Sequence, residues 1–420
     1  MDISVVLPIL VTLFGGFMMI KLRFFFIVHP IKTVKLFFTS IKNKKNFKAL
    51  SLALAGTLGV GNIFGVASAI MIGGAGSVLW LFLSALFSMV IKYSETTLAS
   101  TAAKEAKGTY NALRKSFKKM GASLSLIYTV LFLVLAFFMG AALQSKAIYD
   151  SMMFNNCFPV FFAFVFSLLI LISVKGGGDK IEKITGIIIP TTTVVYILIC
   201  FAVVFKNINN LNEVIVEILE SAFSTLAIGG GAIGVLTSKA LKQGFARGIL
   251  SNEAGIGTSA MAHTRAEDRA AAVAGLYGIC EVFFDTVILC PLTAFAILTS
   301  GVDVSSASSP MGLVRTAFVT SLGEPFGYLL GFLILSFGYS TVTCWYYYGS
   351  ECSGILFKRW GKFAFVPLYV MFIFIGTLAD NSFVLYITDL VILFMSFITI
   401  ALLFKEREII KKETELVGLL

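Results

Sequence analysis

Two apolar segments of this chain are interrupted by clusters of glycine, and these interruptions constrain its fold more than any other feature. Residues 55–65 read AGTLGVGNIFG, and residues 227–234 read AIGGGAIG. Glycine costs about 1 kcal/mol per residue in a helix interior, so each cluster predicts local unwinding. Unwound backbone at membrane depth is tolerated only where it is buried in protein or lines a cavity. We therefore expect both segments to lie inside a helical bundle, where their free peptide groups face a binding site.

The composition places the chain among integral membrane proteins. Of its 420 residues, 58% are hydrophobic and 13% are charged, and the mean hydropathy is +0.92. Soluble domains usually carry roughly 25% charged residues. A window of about 19 residues therefore predicts membrane-spanning helices. The eleven predicted spans cover residues 3–26, 49–72, 77–100, 122–149, 157–174, 185–205, 213–236, 270–299, 325–350, 363–379 and 382–403.

The two interruptions occupy matching places in the two halves of the chain. When the first span is set aside, the remaining spans form two groups of five, and each group begins with an interrupted segment. Because five is odd, the two groups have opposite topology, which is the inverted-repeat plan of alternating-access carriers. The sequence thus predicts an all-α polytopic membrane protein with one extra N-terminal helix, a five-plus-five inverted repeat and two broken helices. The predicted units are an N-terminal helix with an interfacial segment (1–48), the two repeats (49–206 and 207–404) and a cytoplasmic tail (405–420).

The basic residues predict the orientation of the chain. With the N-terminus outside, only Lys146, Lys206 and Arg315 of the 33 Lys and Arg residues fall toward the outside. This distribution follows the positive-inside rule, so we expect a multi-pass protein of the cell membrane with a cytoplasmic C-terminus. The rule also explains the formal charge of +10 without a nucleic-acid partner. The longest cytoplasmic connection is expected at residues 237–269.

Residues 29–48 alternate apolar and basic side chains. This pattern is typical of an amphipathic helix that lies on the anionic inner leaflet of the bilayer. A solvated loop is the alternative. The lipid bilayer with its anionic inner leaflet is therefore an expected partner.

A broken helix offers partial charges without ionised side chains. Half-helix N-termini carry partial positive charge and suit a carboxylate, whereas freed carbonyls suit sodium or an ammonium group. An amino-acid zwitterion presents both charges a few ångströms apart, so it matches such a site. Close helix packing through small residues is the alternative explanation of glycine-rich segments. Two dense clusters at corresponding places favour the cavity.

Polar side chains in two further spans are candidates for the same site. Ser340 and Thr341 supply neutral hydroxyl oxygens for a hard cation, and Trp345 lies one turn beyond Thr341 on the same face. Hydroxyls that bond their own i−4 carbonyl, and an aromatic belt at the membrane interface, are the alternatives. Gln144 is expected either to contact substrate or to join helices by hydrogen bonds.

Apart from Glu213, Glu217 and Glu220 in the first turns of the seventh span, the predicted spans contain four acidic residues: Glu95, Glu281, Asp285 and Asp389. Intramembrane carboxylates are functional candidates by default. Glu95 is expected to pair with Lys92 at i,i+3 in a structural or gating role. Glu281 and Asp285 share a helix face at i,i+4 and could serve a proton or cation path. Because none of the four lies in the interrupted spans or in the ninth span, coordination of sodium by neutral oxygens is favoured over proton coupling.

Signals for an enzyme are weak. His29 and His263 both fall in predicted connections, and neither has a second ligand at H-x-x-H or H-E-x-x-H spacing. No nucleophile elbow, phosphate-binding loop or acidic magnesium cluster occurs. The six cysteines lie in or beside apolar segments without a C-x-x-C pair, so buried free thiols are favoured over a disulfide or metal role. We therefore do not expect an enzyme.

Several motifs resemble the alanine/glycine:cation symporter family, which has the leucine-transporter inverted-repeat fold. The resemblance runs in order over roughly residues 50–400, and its most specific motif is GFARGILSNEAGIG at 244–257. The other matching motifs are GTLGVGNIFGVA (56–67), GGAG (73–76), KYSE (92–95), Gln144, FDT (284–286), ST (340–341) and WYYYG (345–349). The resemblance implies sodium-driven uptake of alanine or glycine.

The resemblance also implies which residues hold the ion and the substrate. By analogy with the fold, sodium is expected between the carbonyls of Ala55 and Leu58 and the residues Phe337, Ser340 and Thr341. Substrate contacts are expected from Gly59, Val60, Gly61, Asn62, Gln144, Gly229, Gly230, Gly231, Thr341 and Trp345. A proton-coupled carrier of the same substrates and a passive channel are the alternative functions.

The chain departs from the family's pattern at three places. Val60 replaces a residue that is often Thr, which removes a hydroxyl beside the expected pocket. Phe64 replaces a usually small residue and could reshape the cavity. The loop GTYNA at 108–112 lacks the family's Gly-Gly-Pro-Met-like turn. The resemblance therefore constrains the fold more tightly than the choice of small neutral amino acid.

Overall fold

The computed structural model of the chain describes residues 3–102, 108–152, 158–175, 177–223, 238–258, 260–263 and 270–420. Within these ranges all regular elements are helices. The helices before residue 207 are α1 (Ile3–Lys21), α2 (Phe25–Val28), α3 (Pro30–Ser40), α4 (Lys44–Thr57), α5 (Val66–Gly73), α6 (Ser77–Ala102), α7 (Gly108–Ser116), α8 (Lys118–Leu135), α9 (Gln144–Ser151), α10 (Pro159–Val174) and α11 (Gly177–Lys206). The later helices are α12 (Leu211–Ala222), α13 (Lys239–Asn252), α14 (Ala260–His263), α15 (Ala271–Val282), α16 (Cys290–Thr299), α17 (Pro310–Leu322), α18 (Glu324–Leu378), α19 (Asn381–Lys405) and α20 (Arg407–Leu416).

Short segments of other helical types join some of these elements. The described ranges contain π-helical turns at Gly61–Gly65, Ala136–Leu143 and Phe283–Leu289. They also contain 3-10 turns at Ile208–Asn210 and Val304–Ser306. Single π turns within α-helices often mark functional sites, and one of the three, Gly61–Gly65, begins at a predicted site residue.

Six described helical stretches are long and apolar enough to cross a membrane, and one bent pair of helices makes a seventh. The six are Ser77–Thr101, Lys118–Ser151, Gly177–Lys206, Ala271–Thr299, Glu324–Leu378 and Asn381–Lys405. The bent pair consists of Lys44–Thr57 and Gly61–Gly73, which are inclined by 41° to each other. The prediction of an all-helical membrane protein is thus confirmed. The count of eleven spans and the inverted repeat stay predictions.

Helix α18 covers two predicted spans, 325–350 and 363–379. A straight helix of its 55 residues would measure about 80 Å, far more than the ~30 Å of a bilayer core. Lys358 interrupts the helix, because its φ of 53° and ψ of −136° are not helical. Beyond this point the chain folds back, and Tyr369 OH donates to the Val342 carbonyl at 2.8 Å. The element is therefore a hairpin of two helices.

The predicted cytoplasmic connection at residues 237–269 contains a helix, α13, and its place relative to the membrane stays a prediction. This helix is largely buried and packs against α6 and α5. Ser238 caps its first turn, since its side chain accepts a hydrogen bond from the Leu241 amide at 3.2 Å. A Cβ added at Gly244 would lie 2.6 Å from the Cβ of Trp80, so glycine permits the close approach of α6. Helix α13 belongs to the core of the bundle.

The predicted amphipathic segment at 29–48 is helical over α3. Ile31, Val34 and Phe38 recur at i, i+3 and i+7 and are exposed. An exposed apolar stripe of this kind is typical of a helix that lies in a membrane interface. The helix is therefore as predicted, and its place on the inner leaflet stays a prediction.

The predicted C-terminal tail contains a docked helix, α20. Ile410 is fully buried, and the hydroxyls of Thr414 and Tyr93 are hydrogen-bonded at 2.8 Å. Lys21 at the end of α1 forms an ion pair with Glu408 at 2.7 Å. The end of the chain thus packs against α1 and α6.

The cysteines carry no disulfide within the described part of the chain. Those described, Cys200, Cys280, Cys290, Cys344 and Cys352, are free thiols. Cys157 lies outside the described residues. The described thiols thus match the favoured prediction.

Candidate binding site at two interrupted helices

The first predicted interruption is present between α4 and the π turn Gly61–Gly65. Leu58 leaves helical geometry, with φ −75° and ψ 69°. The amide of Gly59 donates to the Thr57 carbonyl at 2.8 Å instead of reaching back four residues. The carbonyl of Ala55 is thereby released from the helical hydrogen-bond pattern.

The released backbone groups bind side chains from two other helices. Thr341 Oγ1 of α18 donates to the Ala55 carbonyl at 3.1 Å. The amide of Val60, which a continuous helix would pair with Gly56, donates instead to Gln144 Oε1 at 3.1 Å. The break therefore joins the first broken helix to α9 and α18 through one freed carbonyl and one freed amide.

Glycines allow these helices to approach closely. A Cβ built at Gly59 would lie 2.4 Å from Thr341 Oγ1, which is too short for nonbonded atoms. A Cβ at Gly140 would lie 2.6 Å from the Cβ of Trp345. Only glycine therefore fits at these two positions next to α18.

Trp345 is part of the interior and not of an aromatic belt. It is 0% exposed, and its ring packs against Phe132 with centroids 5.5 Å apart. Its Nε1 has no hydrogen-bond partner among the described residues. Val60, Gln144 and Thr341 are also buried. The predicted polar site is thus closed off from solvent, with one indole donor left to bind.

The remaining predicted site residues have different surroundings. Ser340 Oγ donates to the Ser336 carbonyl of its own helix at 2.9 Å, which is the bonding that hydroxyls in spans often adopt. Phe337 packs edge-on to Tyr196 with centroids 5.9 Å apart. Asn62 is buried, and its Oδ1 has no partner within the described part of the chain. The residues Gly229, Gly230 and Gly231 lie outside the described residues.

An irregular segment, which the sequence does not predict at this place, follows α13, and we call residues 253–258 the second interruption. The helix ends at Asn252, and the next residues adopt positive φ: 56° at Glu253, 87° at Gly255 and 74° at Gly257. Glycine reaches this left-handed region without steric cost. The predicted second break at 227–234 lies outside the described residues, so the break described here is the one that follows Asn252.

Two charged side chains of α6 form hydrogen bonds with the backbone at the second interruption. Lys92 Nζ donates to the carbonyl of Asn252 at 2.8 Å, and the Gly257 amide donates to Glu95 Oε1 at 2.9 Å. A cation at the carbonyl end of a helix and an anion at a freed amide match the partial charges of helix ends. The predicted i,i+3 ion pair between Lys92 and Glu95 is wrong, because each side chain binds the backbone of the break.

The two interruptions lie against each other. A Cβ at Gly61 would lie 3.4 Å from the Cα of Ser251, and a Cβ at Gly65 would lie 3.7 Å from the Arg247 carbonyl. The π turn of the first break therefore runs along the last turns of α13. Freed backbone from both breaks thus lies in one buried region.

A cluster of polar side chains extends this region. Glu281 Oε2 lies 3.6 Å from Lys92 Nζ, and Glu281 Oε1 contacts His263 Nε2. Asp285 accepts a hydrogen bond from Ser251 Oγ at 3.0 Å. The i,i+4 carboxylates of α15 and its π turn therefore have separate partners. His263 lies in this buried cluster and not in a solvated connection.

Neutral oxygens dominate the first break, and carboxylates dominate the second. Asp389, the fourth acidic residue of the predicted spans, forms an ion pair with Arg247 of α13. Among the described residues, no group of three or more His, Cys, Asp or Glu side chains is arranged to hold a metal ion. A cation at the first break would therefore be bound by carbonyl and hydroxyl oxygens.

Known proteins resemble the chain over most of its length. The model of the sodium:alanine symporter family matches residues 1–415. The chain is 31% identical to the sodium/alanine symporter AgcS of Methanococcus maripaludis, over 84% of this chain and 79% of that protein. It is 32% identical to the probable sodium/glutamine symporter GlnT of Bacillus subtilis, over 74% of this chain and 65% of that protein. The crystal structure of MhsT in complex with L-phenylalanine shares the fold, with a TM-score of 0.61 at 14% identity over 88% of this chain and 97% of that one.

Proposed function

Because the chain belongs to the sodium:alanine symporter family, we propose that it is a sodium-coupled symporter that imports alanine or glycine by alternating access. The family and the apolar helices make it a multi-pass membrane protein. The observation that carries the proposal is the first break, where a freed carbonyl and a freed amide meet Thr341 and Gln144. Import follows from coupling to a sodium gradient that is directed into the cell, and the proposed orientation has the N-terminus outside and the C-terminus in the cytoplasm.

The proposed sodium site uses the oxygens around the Thr341–Ala55 contact. These are the carbonyls of Ala55 and Leu58, with Thr341, Ser340 and Phe337 of α18. Unwound carbonyls coordinate sodium in carriers that have broken helices. The hydrogen bond from Thr341 to Ala55 already brings two of these oxygens together at 3.1 Å. Sodium binding would replace that bond by two contacts to the same ion.

The proposed substrate site lies beside the sodium site. The Val60 amide and the indole Nε1 of Trp345 are donors for the substrate carboxylate, and Gln144 is an acceptor for its ammonium group. Gly59, Gly61 and Asn62 complete this wall. Residues 229–231 are proposed to form the opposite wall of the substrate site. The second interruption after Asn252 is a further candidate for that wall.

Close packing at the break favours a small substrate. A Cβ at Gly338 would lie 3.2 Å from Val60 Cγ2 and 2.5 Å from Ile148 Cδ1, so α18 and α9 leave little room there. Phe64 is also fully buried next to the break. The proposal is therefore alanine or glycine, and glutamine, which a relative's name suggests, is the larger substrate to test against them.

Uptake of labelled alanine, glycine and glutamine into proteoliposomes tests the proposal. We expect saturable alanine or glycine uptake that requires an inward sodium gradient and stops when potassium replaces sodium. Uptake that depends on a proton gradient alone would support a proton-coupled carrier instead. Non-saturable flux without sodium stimulation would support a passive channel and overturn the proposal.

A further inference from the structure

Four buried carboxylates surround the second interruption. Glu95 and Glu253 contact its backbone or its next residues, and Glu281 and Asp285 face it from α15 and the following π turn. All four are at most 4% exposed. Glu95, Glu253 and Asp285 each interact electrostatically with both Glu281 and Lys92. The four acids therefore form one cluster.

The described basic groups do not balance these carboxylates. Lys92 and His263 are the two basic side chains of the cluster, and both are buried. Even with His263 protonated, two negative charges are in excess if all four acids are ionised. Residues 264–269 carry two Arg, one Glu and one Asp, so that segment has no net formal charge. A buried charge without a partner is unfavourable, and an acid in this position takes up a proton.

The other described titratable side chains around the cluster do not neutralise its excess negative charge. Its neutral neighbours are Tyr93, Tyr128, Tyr277, Cys280, Cys344 and Tyr348. Arg247 of α13 is paired with Asp389, and Glu413 of α20, which acts on Tyr93, is itself acidic. The lysines of α4 and the basic residues of α7 are exposed. The surroundings therefore supply no further buried cation among the described residues.

The hydrogen bonding of Glu253 indicates separately that the cluster binds protons. Its Oε2 accepts a hydrogen bond from Thr258, but its buried Oε1 has no partner among the described residues. An ionised carboxylate would leave this oxygen as a desolvated, unpaired charge, whereas a protonated carboxyl group would not. Metal ligation is not favoured either, since the described acids do not form a metal-binding group.

We propose that this cluster is a proton-binding site that holds at least two protons at neutral pH, distributed over Glu95, Glu253 and Asp285. Glu281 lies between two basic neighbours, Lys92 and His263. The proposed ligand of this cluster is the proton, whereas sodium and the amino acid are proposed to bind at the first break.

Protons at this site are coupled to the shape of the second interruption. Glu95 binds the Gly257 amide and Glu253 binds the Thr258 hydroxyl, so the charge on these two acids acts directly on that segment. Loss of the protons places uncompensated charge beside the packed backbone. The buried arrangement is therefore favoured at lower pH and disfavoured as pH rises.

Infrared difference spectroscopy of the whole protein in nanodiscs tests the proposal without substrate. We expect a carboxylic-acid carbonyl band at neutral pH that shifts in D2O and disappears at alkaline pH. Glu253→Gln and Glu95→Gln should each reduce the band. Asp303→Asn, at an exposed carboxylate outside the bundle, should leave it unchanged.

The proposal is overturned if the wild-type protein has no such band at neutral pH, or if neither Glu253→Gln nor Glu95→Gln reduces it. It is also overturned if sodium alone removes the band, since the cluster would then bind sodium. None of these results depends on amino-acid uptake, so failure of the proposed transport leaves the measurement interpretable.

A pH series of thermal unfolding gives a second readout. Because the packed protein holds protons that the unfolded chain releases above its carboxyl pKa values of about 4, wild-type stability should fall as pH rises from about 5 through neutral. Glu253→Gln should reduce the slope of stability against pH by the contribution of one proton. A wild-type profile that is flat or rises with pH would contradict the proposal.

Discussion

The hydroxyl of Thr341 donates a hydrogen bond of 3.1 Å to the carbonyl of Ala55, a group that the helix break has released. On the same side of α18, Cys344 Sγ and Tyr348 OH both point to the carbonyl of Leu52, at 3.3 and 3.4 Å. Donors at i, i+3 and i+7 therefore line the contact between α18 and α4. Of these donors, only Thr341 meets a carbonyl that the break has set free.

Replacing Thr341 with Val should weaken sodium binding while keeping the shape of the side chain. One hydroxyl that binds an ion is worth roughly 1.5 kcal/mol, so the sodium concentration for half-maximal uptake should rise by about tenfold or more. Thr341→Ser should retain most of the activity. Thr343→Val is the matched control, because Thr343 Oγ1 bonds only to carbonyls of its own helix, at 2.9 Å. Sodium-dependent uptake of wild-type strength in Thr341→Val would remove this residue from the site.

Gly59→Ala should abolish uptake because the new Cβ would lie 2.4 Å from Thr341 Oγ1. The helices would have to separate, or the break would have to change its geometry. Gly186→Ala on α11 is the control, since a Cβ there comes no closer than 3.9 Å to Ser51. That control should be neutral or stabilised by up to about 1 kcal/mol. Uptake and thermal unfolding are measured together, and an active, stable Gly59→Ala protein would contradict the described packing.

Gln144→Leu should destabilise the protein, because it leaves the buried Val60 amide without its acceptor. An unsatisfied buried donor costs roughly 1–3 kcal/mol. Gln144→Glu keeps an acceptor oxygen at a similar position and should recover part of that loss in chemical unfolding. Both variants should weaken substrate binding, since the proposed ammonium contact changes. Equal stability of Gln144→Leu and the wild type would show that the hydrogen bond from Val60 to Gln144 does not stabilise the folded protein.

The first break could be predicted from the sequence because it is a local property. Gly56, Gly59 and Gly61 lie within a few residues inside an apolar run, and helix propensity alone indicates unwinding there. The partner of the freed Val60 amide could not be predicted in the same way. Gln144 lies 84 residues away along the chain, so the sequence leaves two alternatives open, substrate contact or helix–helix bonding. The structure shows the second, and the first stays part of the proposal.

The second break was missed because hydropathy averages over a window. Arg247, Asn252 and Glu253 lower the apolar score of a segment that is nevertheless buried. Their charges and amides are paired with side chains from distant helices, such as Asp389 and Lys92. The pattern Gly255-Ile256-Gly257 after a polar run was the available signal. Tertiary pairing of this kind is what a single-sequence window cannot include.

Lys92→Met should be the most destabilising of these substitutions. It removes the donor to the Asn252 carbonyl and leaves Glu281 with His263 as its only close basic partner among the described residues. Loss of one member of a buried ion pair costs roughly 3–5 kcal/mol. The double variant Lys92→Met with Glu281→Gln should recover part of this loss, because the unpaired charge is removed as well. A double-mutant cycle by chemical unfolding measures that recovery.

Lys21→Met, which breaks the exposed pair with Glu408, is the control and should leave stability unchanged within error. Additive losses in the cycle would show that Lys92 and Glu281 do not interact, and would leave the Asn252 contact as the sole role of Lys92.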